Sequence, residues 1–151
     1  MSGPDGTQSP QALQSPQARA LATVRAYYEA LNRHDPAGAV ALLTEDVVHE
    51  LNQGPREVGK AAFREFLQRM EYCYHEQLVD IRLLASTDGT LAAAEYTVIG
   101  EYVADDIGMP PAHGQRYRMP GSAFFALREG RICRVSDHYN LQEWFSQVAE
   151  T

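Results

Sequence analysis

A carboxylate, an imidazole and a phenol fall together in the run Asp137-His138-Tyr139-Asn140, at the end of a segment whose other residues are suited to burial. Successive strand residues point to opposite faces, so Asp137 shares a face with Val135 and Tyr139 while His138 turns to the other side. The same parity groups His49 with Val47 and Leu51 in the segment DVVHEL, and Tyr96 with Val98 further on. An early helix adds Tyr27. We expect His49, Asp137 and Tyr27 to form a catalytic set in one cavity, with Tyr139, Tyr96, Trp144, Leu51, Phe125 and Val98 as the substrate-binding walls. A histidine held by a carboxylate is fixed in one tautomer and can take a proton near neutral pH. A tyrosine hydroxyl can polarise a carbonyl oxygen. This combination suits proton transfer on a carbonyl compound, or addition of water, with an apolar ring-bearing molecule as substrate.

Each of these residues also has a plainer reading. Asp137 can accept from backbone donors where the chain enters its last helix. His49 can be a satisfied core histidine, and Tyr27 belongs to a helical stripe that packs. A hydrogen bond of about 2.6–3.2 Å between the imidazole and a carboxylate separates these cases, since that geometry serves acid–base work. Aromatic walls with isolated hydroxyls would instead fit a non-catalytic module that holds an apolar ligand or associates as a dimer.

The elements that must position these residues follow from periodicity. Residues 18–33 carry Leu21, Val24, Tyr28 and Leu31 at helical spacing. Asp35-Pro36 stops that helix and starts a short second one, with Asp35 as cap. Residues 46–51 alternate as a strand, residues 59–76 read as a third helix burying Phe63, Phe66, Leu67 and Met70, and 78–84 as a strand. Thr87-Asp88-Gly89 is a hairpin turn leading into a return strand over 91–102. A loop over 104–113 precedes two strands joined by the tight turn Arg128-Glu129-Gly130, and a short helix closes the chain. Glu101, Asp105 and Asp106 read as solvated charges beside that loop. This order is an α+β layout: three N-terminal helices packed in the concavity of a strongly curved, mixed, mostly antiparallel sheet shaped as a cone. Ligands in such folds bind at the mouth between helices and sheet.

Composition bounds the function. The chain has 151 residues, 44% hydrophobic and 22% charged, which suits one domain over residues 18–151 after a disordered polar lead-in over residues 1–17. A net charge of -7 offers no basic surface for nucleic acid. No apolar run approaches a membrane span. The five histidines are scattered without metal-binding spacing, and no glycine-rich phosphate or dinucleotide motif occurs, so no cofactor and no metal is expected. Cys73 and Cys133 lie far apart with no secretion signal before them, which points to reduced thiols and a cytoplasmic setting.

The run from Tyr27 to Asp35, then Ala41 to Asp46, then Gly59-Lys60-Ala61-Ala62-Phe63-Arg64-Glu65-Phe66, resembles the nuclear-transport-factor-2-like superfamily. Its members include steroid delta-isomerases, SnoaL-like polyketide cyclases, limonene epoxide hydrolase and scytalone dehydratase. The look is most like the bacterial ketosteroid-isomerase-related proteins. The resemblance implies the cone-shaped α+β fold over everything after residue 18. Steroid isomerases use a base carboxylate, a tyrosine and a protonated acid. Their tyrosine matches Tyr27, but the base falls on Leu51 and the acid on Ala123. The resemblance to limonene epoxide hydrolase matches its last catalytic aspartate to Asp137 and a water-holding tyrosine to His49. Its other functional positions fall on Leu51, Val98 and Tyr96. The chemistry implied is of isomerase, cyclase or hydrolase type, with a site set differing from both. A curved sheet covered on one face leaves the other open. Phe124, Ile132 and Ile99 are expected there, making a homodimer through the outer sheet face.

Overall fold

The computed structural model describes residues 14–149. Residues 1–13 lie outside the described residues, and most of the expected lead-in with them. The last of that lead-in, Pro16 and Gln17, is helical: α1 spans Pro16–Asn32 and begins where the Ser15 hydroxyl accepts from the Ala18 N–H at 3.1 Å. The helix buries Ala20, Val24, Tyr27, Tyr28 and Ala30. The buried stripe is therefore rotated slightly from the one expected, and carries both tyrosines inward. Next, α2 spans Pro36–Val40, with the Asp35 carboxylate accepting from the Gly38 N–H at 2.9 Å.

Strand β1 (Leu43–Glu50) and the two-residue β2 (Glu57–Val58) precede α3 (Lys60–Cys73). The third helix was expected to run to Glu76, but the chain passes without a loop into β3 (Tyr74–Ala85), Tyr74 already having extended backbone at φ −134°. No glycine, proline or other turn residue stands between Met70 and Leu78 to mark this switch. Then come β4 (Leu91–Tyr102), β5 (Gln115–Arg128), β6 (Arg131–Tyr139) and α4 (Leu141–Ala149).

The strands form one six-stranded sheet in the order β2-β1-β6-β5-β4-β3, with β1 parallel to β6 and the other pairs antiparallel. The sheet is open: β2 and β3 lie at its two edges, so the cone is a half-open one. The main core joins α1, α2 and α3 to the inner face through Val24, Leu43, Val47, Phe63, Phe125 and Val135, all at most 1% exposed. Burial of side chains of this size stabilises the fold by about 1.5–3 kcal/mol each. A second cluster under α4 stacks Tyr74 on Tyr102 with centroids 5.2 Å apart and sets Trp144 edge-on to both.

One face assignment needs correction. Ile132 was expected on the outer face but is fully buried. The β5–β6 register shifts between Ala126 and Leu127, so Cys133 is the extra residue of a bulge and alternation reverses before it. Phe124 and Ile99 do point outward, at 53% and 41% exposed. Among the described residues no helix is long and apolar enough to cross a membrane.

Candidate active site

The parallel pairing of β1 with β6 sets His49 beside Val135, two residues before Asp137 on the same face. From there the His49 Nε2 reaches Asp137 Oδ2 at 2.8 Å. The imidazole packs into the corner made by Phe63 and Phe66 of α3, with both ring centroids 4.5 Å away, and is 4% exposed. Contact with the two phenyl rings restricts its rotation while its Nε2 stays on the carboxylate. Among the described residues, Asp137 Oδ1 accepts no protein hydrogen bond. The strand end is pinned from outside. Asn52, whose left-handed φ of 64° folds the chain back after β1, donates to the Asp137 carbonyl at 2.7 Å and to Ser136 Oγ at 3.1 Å. Gln53 donates to the Tyr139 carbonyl at 3.1 Å.

Asp137 opens onto a cavity of about 240 Å³ between the helices and the concave sheet. Tyr27, Tyr28, Tyr96 and Tyr139 border it with Trp144, and Leu51, Val98, Met70 and Met119 supply apolar wall. The Tyr28 hydroxyl is buried and makes no hydrogen bond of good geometry among the described residues. Tyr96 reaches inward because Gly121, its neighbour on β5, has no side chain; a Cβ there would lie 2.5 Å from the Tyr96 ring. Burial, and then the nearby Asp137 charge, pushes the Tyr27 and Tyr96 hydroxyls well above the ordinary phenol range. Burial does the same to Tyr28 and raises Tyr139 to about 12. All four therefore remain hydroxyls at neutral pH and can donate to an oxygen in the cavity.

The structure brings the expected residues together in two layers. Asp137, Tyr27, Tyr139, Tyr96, Trp144, Leu51 and Val98 border the cavity. His49 and Phe125 do not. His49 stands one layer behind Asp137, enclosed by the two phenylalanines, so it acts on the cavity only through the carboxylate. Phe125 is fully buried beneath α1, 5.7 Å from Tyr27 and 5.9 Å from Tyr28, where it seats those rings. Asp106, expected as a solvated charge, has a side chain only 8% exposed. It accepts from the Tyr74 hydroxyl at 2.8 Å and pairs with Arg69 at 3.5 Å at the cavity border. Glu76 escapes the sequence reading because the expected third helix runs through it. Counting back by twos from Leu78 through Tyr74 would have placed it inward. Among the described residues, no group of three or more His, Cys, Asp or Glu is arranged to hold a metal ion.

The SnoaL-like domain family matches residues 24–135. The chain belongs to that family. Its structure superposes with a TM-score of 0.86 on a polyketide cyclase-like protein from Xanthomonas campestris pv. campestris, at 55% identity over 89% of this chain and 99% of that one. A second polyketide cyclase-like protein, from Pseudomonas putida, gives 0.84 at 47% identity over 89% and 98%. An epoxide hydrolase of the limonene epoxide hydrolase-like kind from Mycobacterium tuberculosis gives 0.72 at 21% identity over 90% and 89%, a likeness of fold. No curated protein matches the chain. This SnoaL-like chain thus carries the fold and family expected.

Proposed function

We propose that this SnoaL-like protein is a cofactor-independent acid–base enzyme acting on an apolar, carbonyl- and ring-bearing small molecule, with Asp137 as the general base. The reading is supported above all by the 2.8 Å hydrogen bond that holds one oxygen of Asp137 on His49, in a residue that lines the cavity and whose other oxygen has no protein hydrogen bond among the described residues. Oδ1 takes the proton from a carbon beside a carbonyl. The electron pair released moves onto the carbonyl oxygen, where hydroxyls of Tyr27, Tyr28 or Tyr96 can donate to the developing charge. Where the substrate carries a double bond next to that carbon, the resulting dienolate regains the proton at its far carbon, an isomerisation; otherwise the enolate attacks a second carbonyl of the same molecule to close a ring. The Asp137 proton goes to the carbon in the first case and to the new alkoxide in the second. Every step is a proton transfer or a carbon–carbon bond formation, so no redox partner is required. His49 is a positioning residue: its N–H fixes the carboxylate and its ring fills the space between Phe63 and Phe66.

Likeness to polyketide cyclase-like proteins near half identity is consistent with the ring-closing variant. The outer face, with Phe124 and Ile99 exposed, fits association of two copies. The free thiols Cys73 and Cys133 fit a cytoplasmic setting. The test uses 2-tetralone, a two-ring ketone, in deuterated buffer, with α-proton exchange followed by NMR. The native protein is expected to accelerate exchange, and Asp137→Asn to lower the acceleration about 10²–10⁴-fold. Equal rates for the native and Asp137→Asn proteins would remove the general base from the proposal. Binding of the ketone without exchange would leave a ligand-holding module.

A further inference from the structure

A second polar centre borders the same cavity and has no part in the chemistry just described. Glu76 lies on β3, three strands from Asp137 in the sheet order, and the curl of the sheet turns both into one cavity. Its Oε2 accepts from the Tyr117 hydroxyl at 2.5 Å. Its Oε1 has no protein partner among the described residues. The contact is built across an intervening strand. Glu76 on β3 pairs with Gly100 on β4, which pairs with Tyr117 on β5. The Tyr117 ring lies over Gly100, so that a Cβ there would overlap the ring carbons and come 2.5 Å from its hydroxyl. Only glycine at 100 lets the phenol cross β4 and hold the carboxyl. Trp144 packs edge-on against Tyr117 with centroids 6.0 Å apart. A surface glutamate needs none of this support. Among the described residues no cation pairs with Glu76, and protein closes round the group so that burial raises its pKa.

We propose that Glu76, held by Tyr117 across Gly100, is a subsite for a second oxygen function of the substrate, a hydroxyl placed at the far end of an apolar body from the carbon presented to Asp137. This rests on the proton-transfer reading of the same cavity. A substrate with one polar end would leave the free Glu76 oxygen without a partner, a desolvation cost that a bound hydroxyl removes by donating to it. A body polar at both ends and apolar between them, such as a hydroxylated fused-ring ketone, matches both centres.

The experiment compares 2-tetralone with 6-hydroxy-2-tetralone, which adds a hydroxyl at the opposite end of the two rings. Affinity for the native protein, Glu76→Gln, Glu76→Ala and Tyr117→Phe is measured by calorimetry, and α-proton exchange is followed in the same samples. The native protein is expected to bind the hydroxylated ketone about tenfold more tightly than the parent, the worth of one well-made hydrogen bond. Glu76→Ala is expected to abolish that preference, Glu76→Gln to retain part of it, and Tyr117→Phe to reduce it. Equal affinity of the native protein for both ketones, binding of neither, or a preference that survives Glu76→Ala would each overturn the subsite. If the preference follows Glu76 while exchange is unaffected by Asp137→Asn, the subsite stands and the general-base reading falls. Exchange that depends on Asp137 without any preference between the ketones keeps the general base and overturns the subsite.

Discussion

Replacing Gly100 with alanine should expose how tightly the Glu76–Tyr117 pair is built into the sheet. The added Cβ would overlap the Tyr117 ring and sit 2.5 Å from its hydroxyl, in a ring that also packs edge-on against Trp144. The ring must move or β4 must shift. Overpacking of this kind costs about 1–3 kcal/mol. Displacing the phenol also breaks its hydrogen bond to Glu76, worth roughly 1.5–3 kcal/mol for a charged acceptor and about 1 kcal/mol for a neutral one. Against this, alanine narrows the unfolded ensemble and returns about 0.4–1 kcal/mol. The net loss is about 3 kcal/mol, which for a domain of this size lowers the melting temperature by about 6–12 °C. Differential scanning calorimetry reads this directly. The cause is isolated by repeating the change in a Tyr117→Leu background, where the overlap is relieved. There Gly100→Ala should cost at least about 1 kcal/mol less than in the native protein. A melting temperature within about 1 °C of native, or additive effects of the two changes, would refute the idea that Gly100 exists to admit the Tyr117 ring.

Other predictions test the same architecture. Glu76 has a folded-state pKa raised by burial, so above the unfolded value of a glutamate the native state retains the proton longer. Its contribution to stability is therefore full at acid pH and is lost as pH rises through the folded value. Urea unfolding of Glu76→Gln relative to native should show a difference that moves in favour of the variant between pH 4.5 and pH 8, about the span of an unfolded glutamate and neutrality. A flat difference would contradict the burial. His49→Ala empties the space between Phe63 and Phe66 and strips Asp137 of its partner, and should cost about 2–4 kcal/mol by denaturant titration. His138→Ala, on the exposed side of the same strand, should stay within about 0.5 kcal/mol of native. Gly121→Ala pushes the Tyr96 ring from its place in the cavity and should weaken 2-tetralone binding more than it lowers the melting temperature. Unchanged affinity in a well-folded variant would argue against Tyr96 as a wall.

Much of this could be read from the chain because strand parity is a strict rule wherever one face is buried. The strand expected over Leu91 to Tyr102 is found with both of its ends unchanged, and its pairing with β5 runs in one unbroken register. The same rule paired Asp137 with Tyr139 and set His138 outside. Parity fails where an extra residue enters, and a bulge leaves no mark in composition; Cys133 is such a residue, and it turns Ile132 to the face opposite the one expected. The helix-to-strand switch at Tyr74 is hidden for another reason. A helix that runs directly into a strand has no turn residues to announce it, and Glu76 is concealed along with it. Layering is equally invisible: sequence shows that His49 and Asp137 face the same way, and only packing of Phe63 and Phe66 puts one behind the other.

The sheet order places the last strand between the first and the three long strands β3, β4 and β5. Strand β1 leaves the ribosome early but, apart from the two-residue β2, has no strand to lie against until β6 has been made. His49 and Asp137, 88 positions apart, meet only through that late insertion. Non-local pairings of this kind form slowly, since a long stretch of chain must be closed into a loop first. Any capacity for proton transfer is thus withheld until synthesis is all but finished, and a chain cut short before Arg131 would have its imidazole but no carboxylate to steady it against.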